Sequence, residues 1–444
     1  MILSKQDCLD FVVENDVKFI RLQFCDIMGT IKNISISPSQ LDYAFEYGIG
    51  FDSSSILGFN SVEMSDLFLF PDPTTLRVLP WRPQVGKVVR FLCDIKKPDG
   101  SMFEGDSRYV LKRMVQRASN MGLSFQVGPE CEFYLFKVDD KDQPVLTTPH
   151  DNASYLDVAP FDKGENTRRD ICLTLEEMGL MVEASHHESG FGQHEIDFRY
   201  DHVMVSADNF LTFKTVVKSI ATRNGLYASF MPKPINGMSG SGLHVNMSLY
   251  QNLENLFAPL CHGEELSDIA QNFLGGIISH IKGISAISNP LVNSYKRLWS
   301  GFEAPRAITW SLQNRSNLIR VPAVATSDRS RIELRSPDPS CNPYLTFAAI
   351  LGCGLQGIAQ KETVPAMDAI DASSYTREEL ASLGIDSLPT SLWDAIGHLE
   401  KDSTLADILG EHIFKQYISL KKAEWNEYFK TVHDWEINRY FKNI

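Results

Sequence analysis

Apolar residues recur along this chain at two spacings, and the change from one to the other divides it. Near the N-terminus, residues 5–14 carry helical spacing opened by Ser4 with Asp7, a capping pair. Residues 17–24 and 30–37 alternate as strands do, joined through Asp26-Ile27-Met28-Gly29, and 85–94 reads as one more strand. Between them, 51–83 is rich in Ser, Asp and Pro and is expected to form long loops. The turn signal Lys97-Pro98-Asp99-Gly100 precedes a helix beginning near Arg108. This places a boundary between an N-terminal domain, 1–103, and a larger domain, 104–444. Past it, strands alternate with strong helical patterns at 109–121, 167–178, 207–224, 266–284, 343–360 and 413–441. The last is charged and aromatic, which suits clasping a partner subunit or folding back on its own domain. There is no fixed-period repeat.

Four strand-like segments share an unusual pattern: polar or charged residues at every second position with apolar residues between. In Gly128-Pro129-Glu130-Cys131-Glu132-Phe133, Glu130 and Glu132 point to one side, because residues two apart in a strand share a face. His194-Glu195-Ile196-Asp197-Phe198 does the same with Glu195 and Asp197. Leu243-His244-Val245-Asn246-Met247-Ser248 aligns His244, Asn246 and Ser248, and Arg331-Ile332-Glu333-Leu334-Arg335 aligns two arginines around a glutamate. Any one of these reads most simply as a strand with one face in water. Four together, set among strongly apolar sequence, point to the lining of a cavity. Carboxylates crowded in a cavity repel unless a cation compensates them. Several Glu with one His form an oxygen-dominated ligand set that suits Mg²⁺ or Mn²⁺ and argues against a structural zinc site.

Arginines supply the opposite charge. Arg297, Arg315, Arg320, Arg331 and Arg335 fall close together in segments that look like loops or strands, and their forked donors match phosphate and carboxylate oxygens. Metal-binding carboxylates with convergent arginines are the two electrostatic components that phosphoryl transfer needs. No P-loop is present, so ATP would occupy a different kind of site. The short loop Ser239-Gly240-Ser241-Gly242 would let backbone approach a ligand closely.

Bulk properties narrow the partners. Of 444 residues, 43% are hydrophobic and 22% charged, with a net charge of −14, which argues against nucleic acid or an anionic membrane. The first residues lack the pattern of a signal peptide. No run of about 18 apolar residues occurs. The eight cysteines form no Cys-x-x-Cys pair, which points to reduced thiols and a cytoplasmic home.

These residues resemble type I glutamine synthetase, in the shorter form found in Gram-positive bacteria. The resemblance runs from about Val17 to the C-terminus. It is carried by Phe51-Asp52-Ser53-Ser54-Ser55-Ile56, Gly128-Pro129-Glu130-Cys131-Glu132-Phe133, Glu183-Ala184-Ser185-His186-His187-Glu188, Gly192-Gln193-His194-Glu195-Ile196, Met231-Pro232-Lys233-Pro234, Asn293-Ser294-Tyr295-Lys296-Arg297-Leu298, Gln313-Asn314-Arg315-Ser316 and Asn342-Pro343-Tyr344-Leu345. It implies an α+β chain: a β-grasp domain followed by a catalytic domain with a curved antiparallel sheet, or half-barrel, flanked by helices. It also implies a dodecamer of two stacked hexamers with active sites between subunits.

The implied reaction ligates ammonia to L-glutamate through a γ-glutamyl phosphate, with ATP as co-substrate and two or more Mg²⁺ or Mn²⁺ ions per site. Glu132, Glu188 and Glu195 match the ligands of one metal, and Glu130, His244 and Glu333 those of the nucleotide-side metal. Ser239, Gly240, Arg297, Glu303, Arg315 and Arg335 match glutamate-binding positions. Glu183, Tyr200, Asn246, Ser248, Arg315, Arg320 and Arg331 match nucleotide contacts. Asp52, from a neighbouring subunit, matches the base that takes a proton from ammonium, with Ser55, Tyr155 and Glu188 beside it. Glu303, in the flap 295–305, matches the residue that closes over the intermediate.

Some positions depart from the family's usual pattern: Ser53 and Ser239 stand for Gly and Asn, Ser189-Gly190-Phe191 follows Glu188 where Val-Ala-Pro is commoner, and Trp299-Ser300 replaces Val-Pro. Ser61 stands where shorter-type enzymes often carry an arginine used in glutamine feedback. These changes bear on amine choice and feedback rather than on phosphoryl transfer. The rival readings are a γ-glutamyl ligase for a small primary amine or polyamine, and an inactive structural or sensory relative.

Overall fold

The computed structural model describes residues 4–82, 85–259, 266–299, 301, 304–366, 375–442 and 444. The helix Lys5–Glu14 forms where expected, its first turn closed by Ser4 and Asp7 bonding each other's backbone. It precedes a six-stranded sheet in the order Ile31–Ile36, Val17–Cys25, Lys87–Lys96, Asp66–Pro71, Ile49–Asp52, with Arg77–Val78 added to Lys87–Lys96. Val17–Cys25 runs parallel to Lys87–Lys96, and the other pairs are antiparallel. This is the β-grasp arrangement. Its core alternates along the paired strands: Ile20, Leu22 and Phe24 meet Val89, Phe91, Cys93 and Ile95.

Residues 51–83 are not the long loops that their composition suggests. Asp66–Pro71 is a central strand whose Leu67 and Leu69 are fully buried. Its alternation spans only six residues, and the Ser, Asp and Pro around it hide so short a signal. The stretch 413–441 also differs, because two helices replace the expected one: Glu411–Lys430 and Asp434–Tyr440. The chain turns extended at Thr431, and Glu436 reaches back to the His433 N–H at 2.8 Å to start the second helix.

The larger domain is organised around an eleven-stranded sheet. Its main order is Trp310–Leu312, Ile319–Val321, Ile332–Leu334, Leu243–Gln251, Ser124–Val138, Gln193–Phe198, Val182–His187. All these neighbours pair antiparallel except the first two strands. Alternation divides the sheet's faces cleanly. Phe125, Val127, Cys131, Phe133 and Leu135 join Leu243, Val245, Met247 and Leu249, with Ile196, Ile332 and Leu334, in one continuous core. Helices Ser107–Asn120, Val203–Arg223, Asp268–Ser288 and Pro343–Gln360 contribute the rest of it. No helix among the described residues is long and apolar enough to cross a membrane. The seven described cysteines carry free thiols, six of them buried in these cores.

A buried charge cluster joins the two sheets' domains. Arg108, which is 5% exposed, pairs with Asp72 and Asp94 of the first domain and with Asp208 on the helix Val203–Arg223. The Tyr344 hydroxyl donates to Asp208 at 2.6 Å, and Arg90 donates to Thr212 at 2.9 Å. Removing Arg108 takes from Asp208 its only ion-pair partner among the described residues and leaves Asp72 and Asp94 to Lys112. Arg108→Ala is therefore expected to destabilise the protein by about 3–5 kcal/mol, measured as an earlier unfolding transition in heat or denaturant. A shift of less than about 1 kcal/mol would show that the cluster does not hold the domains together.

Candidate active site

The polar face of the large sheet carries the chemistry, and strand pairing aligns it. Glu130 lies opposite both His244 and Asp197, Glu132 lies opposite Glu195, and Glu195 in turn lies opposite His186. Glu333 lies opposite Asn246 on one side and Arg320 on the other. The result is a row of carboxylates and imidazoles across the middle of the sheet.

These residues open into a cavity of about 570 Å³. Glu130, Glu132, Glu188, Glu195, His186 and His244 line one side; Arg297, Arg315, Arg335, Ser239 and Gly240 line another, with Tyr155 at the rim. Ligand atoms of Glu130, Glu195 and His244 lie within 4.8 Å of one another, as do those of His186, Glu188 and Glu195. His244 Nδ1 is 3.5 Å from Glu130 and 4.0 Å from Glu333, and its Nε2 is 3.9 Å from Glu132.

The electrostatics of this wall fit divalent cations. Burial and the charges of Glu132, Asp197, Glu188 and Glu130 push the Glu195 carboxyl well above the usual range. Burial and Glu132 raise Glu188, and burial with Glu130 raises Asp197 to about 7. One buried Asp197 oxygen has no hydrogen-bond partner. Glu130 behaves oppositely: burial works to raise it, but His244 and Asn246 outweigh that and hold it at about 2. So many acceptor-only oxygens converging on one space, with two imidazoles, form a donor set for hard cations.

The basic wall is equally deliberate. Glu333, fully buried, accepts from Arg320 at 2.6 Å and from Arg335. Asn246 donates to Glu130 at 2.8 Å and accepts from Arg331 at 2.9 Å. Arg335 is 2% exposed and its Nε has no partner, which leaves a buried donor for an anionic ligand. Arg297 sits on a helix, Val292–Leu298, rather than in a loop or strand. It donates to the carbonyls of Ser336, Pro337 and Arg335, and burial lowers its pKa. Gly240 is required against it, because a Cβ there would lie 2.5 Å from the Pro232 carbonyl oxygen and 2.7 Å from Arg297. The neighbouring Gly242 N–H donates to Glu132 at 2.8 Å.

Other expected residues lie apart from the cavity or outside the description. Tyr200 lines a separate cavity of about 660 Å³ with Gln126, Arg199 and Tyr250, and Ser248 lies opposite Gln126 on the sheet. Glu183 is exposed on the outer strand Val182–His187. Asp52 ends the outermost strand of the first sheet, exposed, its carboxylate accepting from the Ser54 N–H at 2.9 Å. Neither it nor the exposed Ser55 lines the cavity in its own chain. Glu303 lies outside the described residues.

Comparison with known proteins decides the family. The model for the glutamine synthetase catalytic domain matches residues 104–440, and that for the glutamine synthetase β-grasp domain matches 16–98. The chain belongs to the glutamine synthetase family. The glutamine synthetase of Clostridium saccharobutylicum is 50% identical over 437 residues, covering 98% of each chain. That of Methanosarcina mazei is 49% identical, covering 99% of this chain and 98% of the relative, and that of Staphylococcus aureus is 46% identical with the same coverage. Among solved structures, a complex of GmaS with ADP matches at a TM-score of 0.89 and 32% identity over 98% of this chain and 99% of that one. The cryo-EM structure of Plasmodium falciparum glutamine synthetase matches at 0.88 and 26% identity, covering 98% of both.

Within this glutamine synthetase fold the structure adds residues that the sequence pattern left without a role. His186 faces Glu195 across the strand pair and Glu188 along its own chain, and the alternation that exposed Glu130 and Glu132 would have found it. Gln193 shares that signal, standing two residues before Glu195 on the strand Gln193–Phe198. It bridges Glu132 at 3.0 Å and the Gly240 carbonyl at 3.1 Å; alternation gives its face, and strand pairing gives its partners.

Proposed function

We propose that this chain is a glutamate–ammonia ligase, which makes L-glutamine from L-glutamate and ammonia with hydrolysis of ATP to ADP and phosphate. The observation that carries the reading is one cavity walled by Glu130, Glu132, Glu188, Glu195 and His244 opposite Arg297, Arg315 and Arg335, in a chain half identical to glutamine synthetases along its length. A carboxylate does not accept an amine at neutral pH, because oxide is a poor leaving group. Moving the γ-phosphoryl of ATP to the glutamate side chain creates an acyl phosphate whose phosphate can leave.

Arg335, with its unpartnered donor, and Arg315 hold the carboxylate and then the charge that builds on the phosphoryl oxygens. Ser239, Gly240 and Arg297 shape the glutamate end. Glu183, Tyr200, Asn246, Ser248, Arg320 and Arg331 hold the nucleotide. Mg²⁺ or Mn²⁺, two or more per site, would be held by Glu132, Glu188 and Glu195 and by Glu130, His244 and Glu333; when bound, they neutralise phosphate charge.

Ammonium binds against Glu188 and Tyr155 with Ser55 of the partner subunit, and Asp52 of the partner subunit takes its proton. Glu303 closes over the intermediate and excludes water. The Asp52-to-cavity separation within one chain supports sites shared between subunits in a dodecamer of stacked hexamers. The division falls at residues 103 and 104, and the enzyme works in the cytoplasm.

The amine is the point to test. An ammonium pocket needs several acceptors around a small cation, and the anionic and hydroxyl groups named above supply them. Glutamate-dependent ATP hydrolysis is expected to respond best to ammonium, with methylamine and putrescine at most a few per cent as efficient, from the loss of about 2 kcal/mol or more of acceptor binding. Higher catalytic efficiency with an alkylamine would overturn ammonia as the acceptor and leave a γ-glutamyl ligase for amines.

A further inference from the structure

Behind the amine end of the cavity lies a pair of side chains that no step above uses. Asp151 and His187 are both fully buried, with 2.9 Å between the carboxylate and the imidazole Nε2. The other ring nitrogen, Nδ1, is 2.6 Å from the Glu188 carbonyl oxygen. A carboxylate and a carbonyl only accept, so both imidazole nitrogens donate and the ring is a fixed bridge. Asp151 is anchored in turn by the N–H groups of Gly192 and Lys163, each at 3.0 Å. Gly192 has φ of +68°, and a Cβ there would lie 2.8 Å from the Leu135 carbonyl oxygen, so the turn can close in this way only around glycine.

The bridge joins two separate segments. One, from Asp151 to Lys163, carries Tyr155; the other, the turn from His187 to Gln193, carries Glu188. A backbone bond from the Leu156 N–H to the His187 carbonyl oxygen, 3.1 Å, ties them a second time beside the pair. Tyr155 and Glu188 both line the cavity, and the Tyr155 ring stands edge-on to His186 with centroids 5.6 Å apart.

Asp151, His187 and His194 also lie close enough together to hold a metal ion. Two observations count against that use. The His187 Nε2 lone pair is replaced by a proton shared with Asp151, and the Arg168 guanidinium, 2.9 Å from His194 Nδ1, adds a fixed positive charge beside the group.

We propose that the Asp151–His187 pair is a positioning element that fixes the separation of Tyr155 and Glu188, and thereby the size of amine the pocket accepts. The proposal rests on the assignment of those two residues to the ammonium pocket. A pocket that selects ammonium over methylamine must exclude one methyl group, so a displacement of about 1 Å in either wall is enough to change the choice.

The test compares three substitutions. His187→Gln keeps a donor for Asp151 and loses the one to Glu188; His187→Asn keeps the donor to Glu188 and loses the one to Asp151. Asp151→Asn preserves volume while removing the charge, and serves if the histidine variants do not fold. The readouts are catalytic efficiency with methylamine relative to ammonium, and KM for ATP and glutamate. The expected result is a rise of about tenfold or more in the methylamine-to-ammonium ratio, with KM for ATP and glutamate within about twofold of the parent. An unchanged ratio in a folded variant overturns the proposal, and so does an equal loss with every amine accompanied by raised KM for ATP and glutamate. The shift is read against the parent enzyme, whichever amine the parent prefers, so it stands or falls separately from the assignment of ammonia as substrate.

Discussion

Glu195→Gln is expected to raise the thermal stability of the metal-free protein while lowering ligase activity by about a thousandfold or more. The two effects have one cause. Glu195 is buried among Glu130, Glu132, Glu188 and Asp197, and that crowding holds its carboxyl well above its ordinary pKa. Without a cation, a neutral amide of the same shape relieves repulsion, and a gain of about 1 kcal/mol corresponds to a rise of about 1 °C in melting temperature for a chain of this length. With Mg²⁺ or Mn²⁺ the order reverses: the parent binds the ion and gains stability by mass action, and the variant gains little. Differential scanning calorimetry with chelator and with added Mn²⁺, beside a glutamine-forming assay, reads both halves. Turnover within tenfold of the parent would remove Glu195 from the metal site. The opposite stability change, a clear loss in chelator, would mean that the carboxylate is held by partners rather than crowded by like charges.

Mixing two inactive chains is expected to restore activity. Asp52 sits on the outer strand of the first sheet and does not line its own chain's cavity, whereas Arg315 does. In a ring whose sites draw Asp52 from one subunit and Arg315 from the next, Asp52→Ala and Arg315→Ala each disable every site. When equal amounts are unfolded and reassembled together, about one site in four combines an intact Asp52 with an intact Arg315, so activity should recover towards about a quarter of the parent's. Glutamine formation before and after co-assembly measures it. No recovery in confirmed hybrid rings would place the complete site within one chain, as would full activity in a monomer that survives dilution.

Much of this architecture is legible in the sequence because local and tertiary preferences agree there. Lys5–Glu14 has its cap and its spacing, and Pro343–Gln360 is opened by Asn342 and filled with small and branched apolar residues. Strands of three residues such as Trp310–Leu312 and Ile319–Val321 are too short to show a period. The central strand Asp66–Pro71 is concealed by its Pro-rich surroundings. The site divides in the same way. Glu130, Glu132, Glu195, His244 and Glu333 are visible because they interrupt strongly apolar strands at a strict spacing of two. The roles of His187 and Asp151 arise from strand pairing and burial, which no single segment records. Asp52 does not line its own chain's cavity, so the fold of one chain gives it no place in the site.

The interleaving of the large sheet also bears on how this enzyme can change over time. Along Ser124–Val138 and Leu243–Gln251, the residues that hold the core and the residues that face the cavity alternate one by one, yet point in opposite directions. A substitution at Glu132 or His244 meets the cavity, while one at Phe133 or Val245 meets the core behind. Selection can therefore rework what the cavity recognises without rebuilding the scaffold, and it can tune the scaffold for temperature without redrawing the cavity. A fold wired in this way makes a ready starting point for directed evolution toward new acceptors, with libraries confined to alternate positions of two strands.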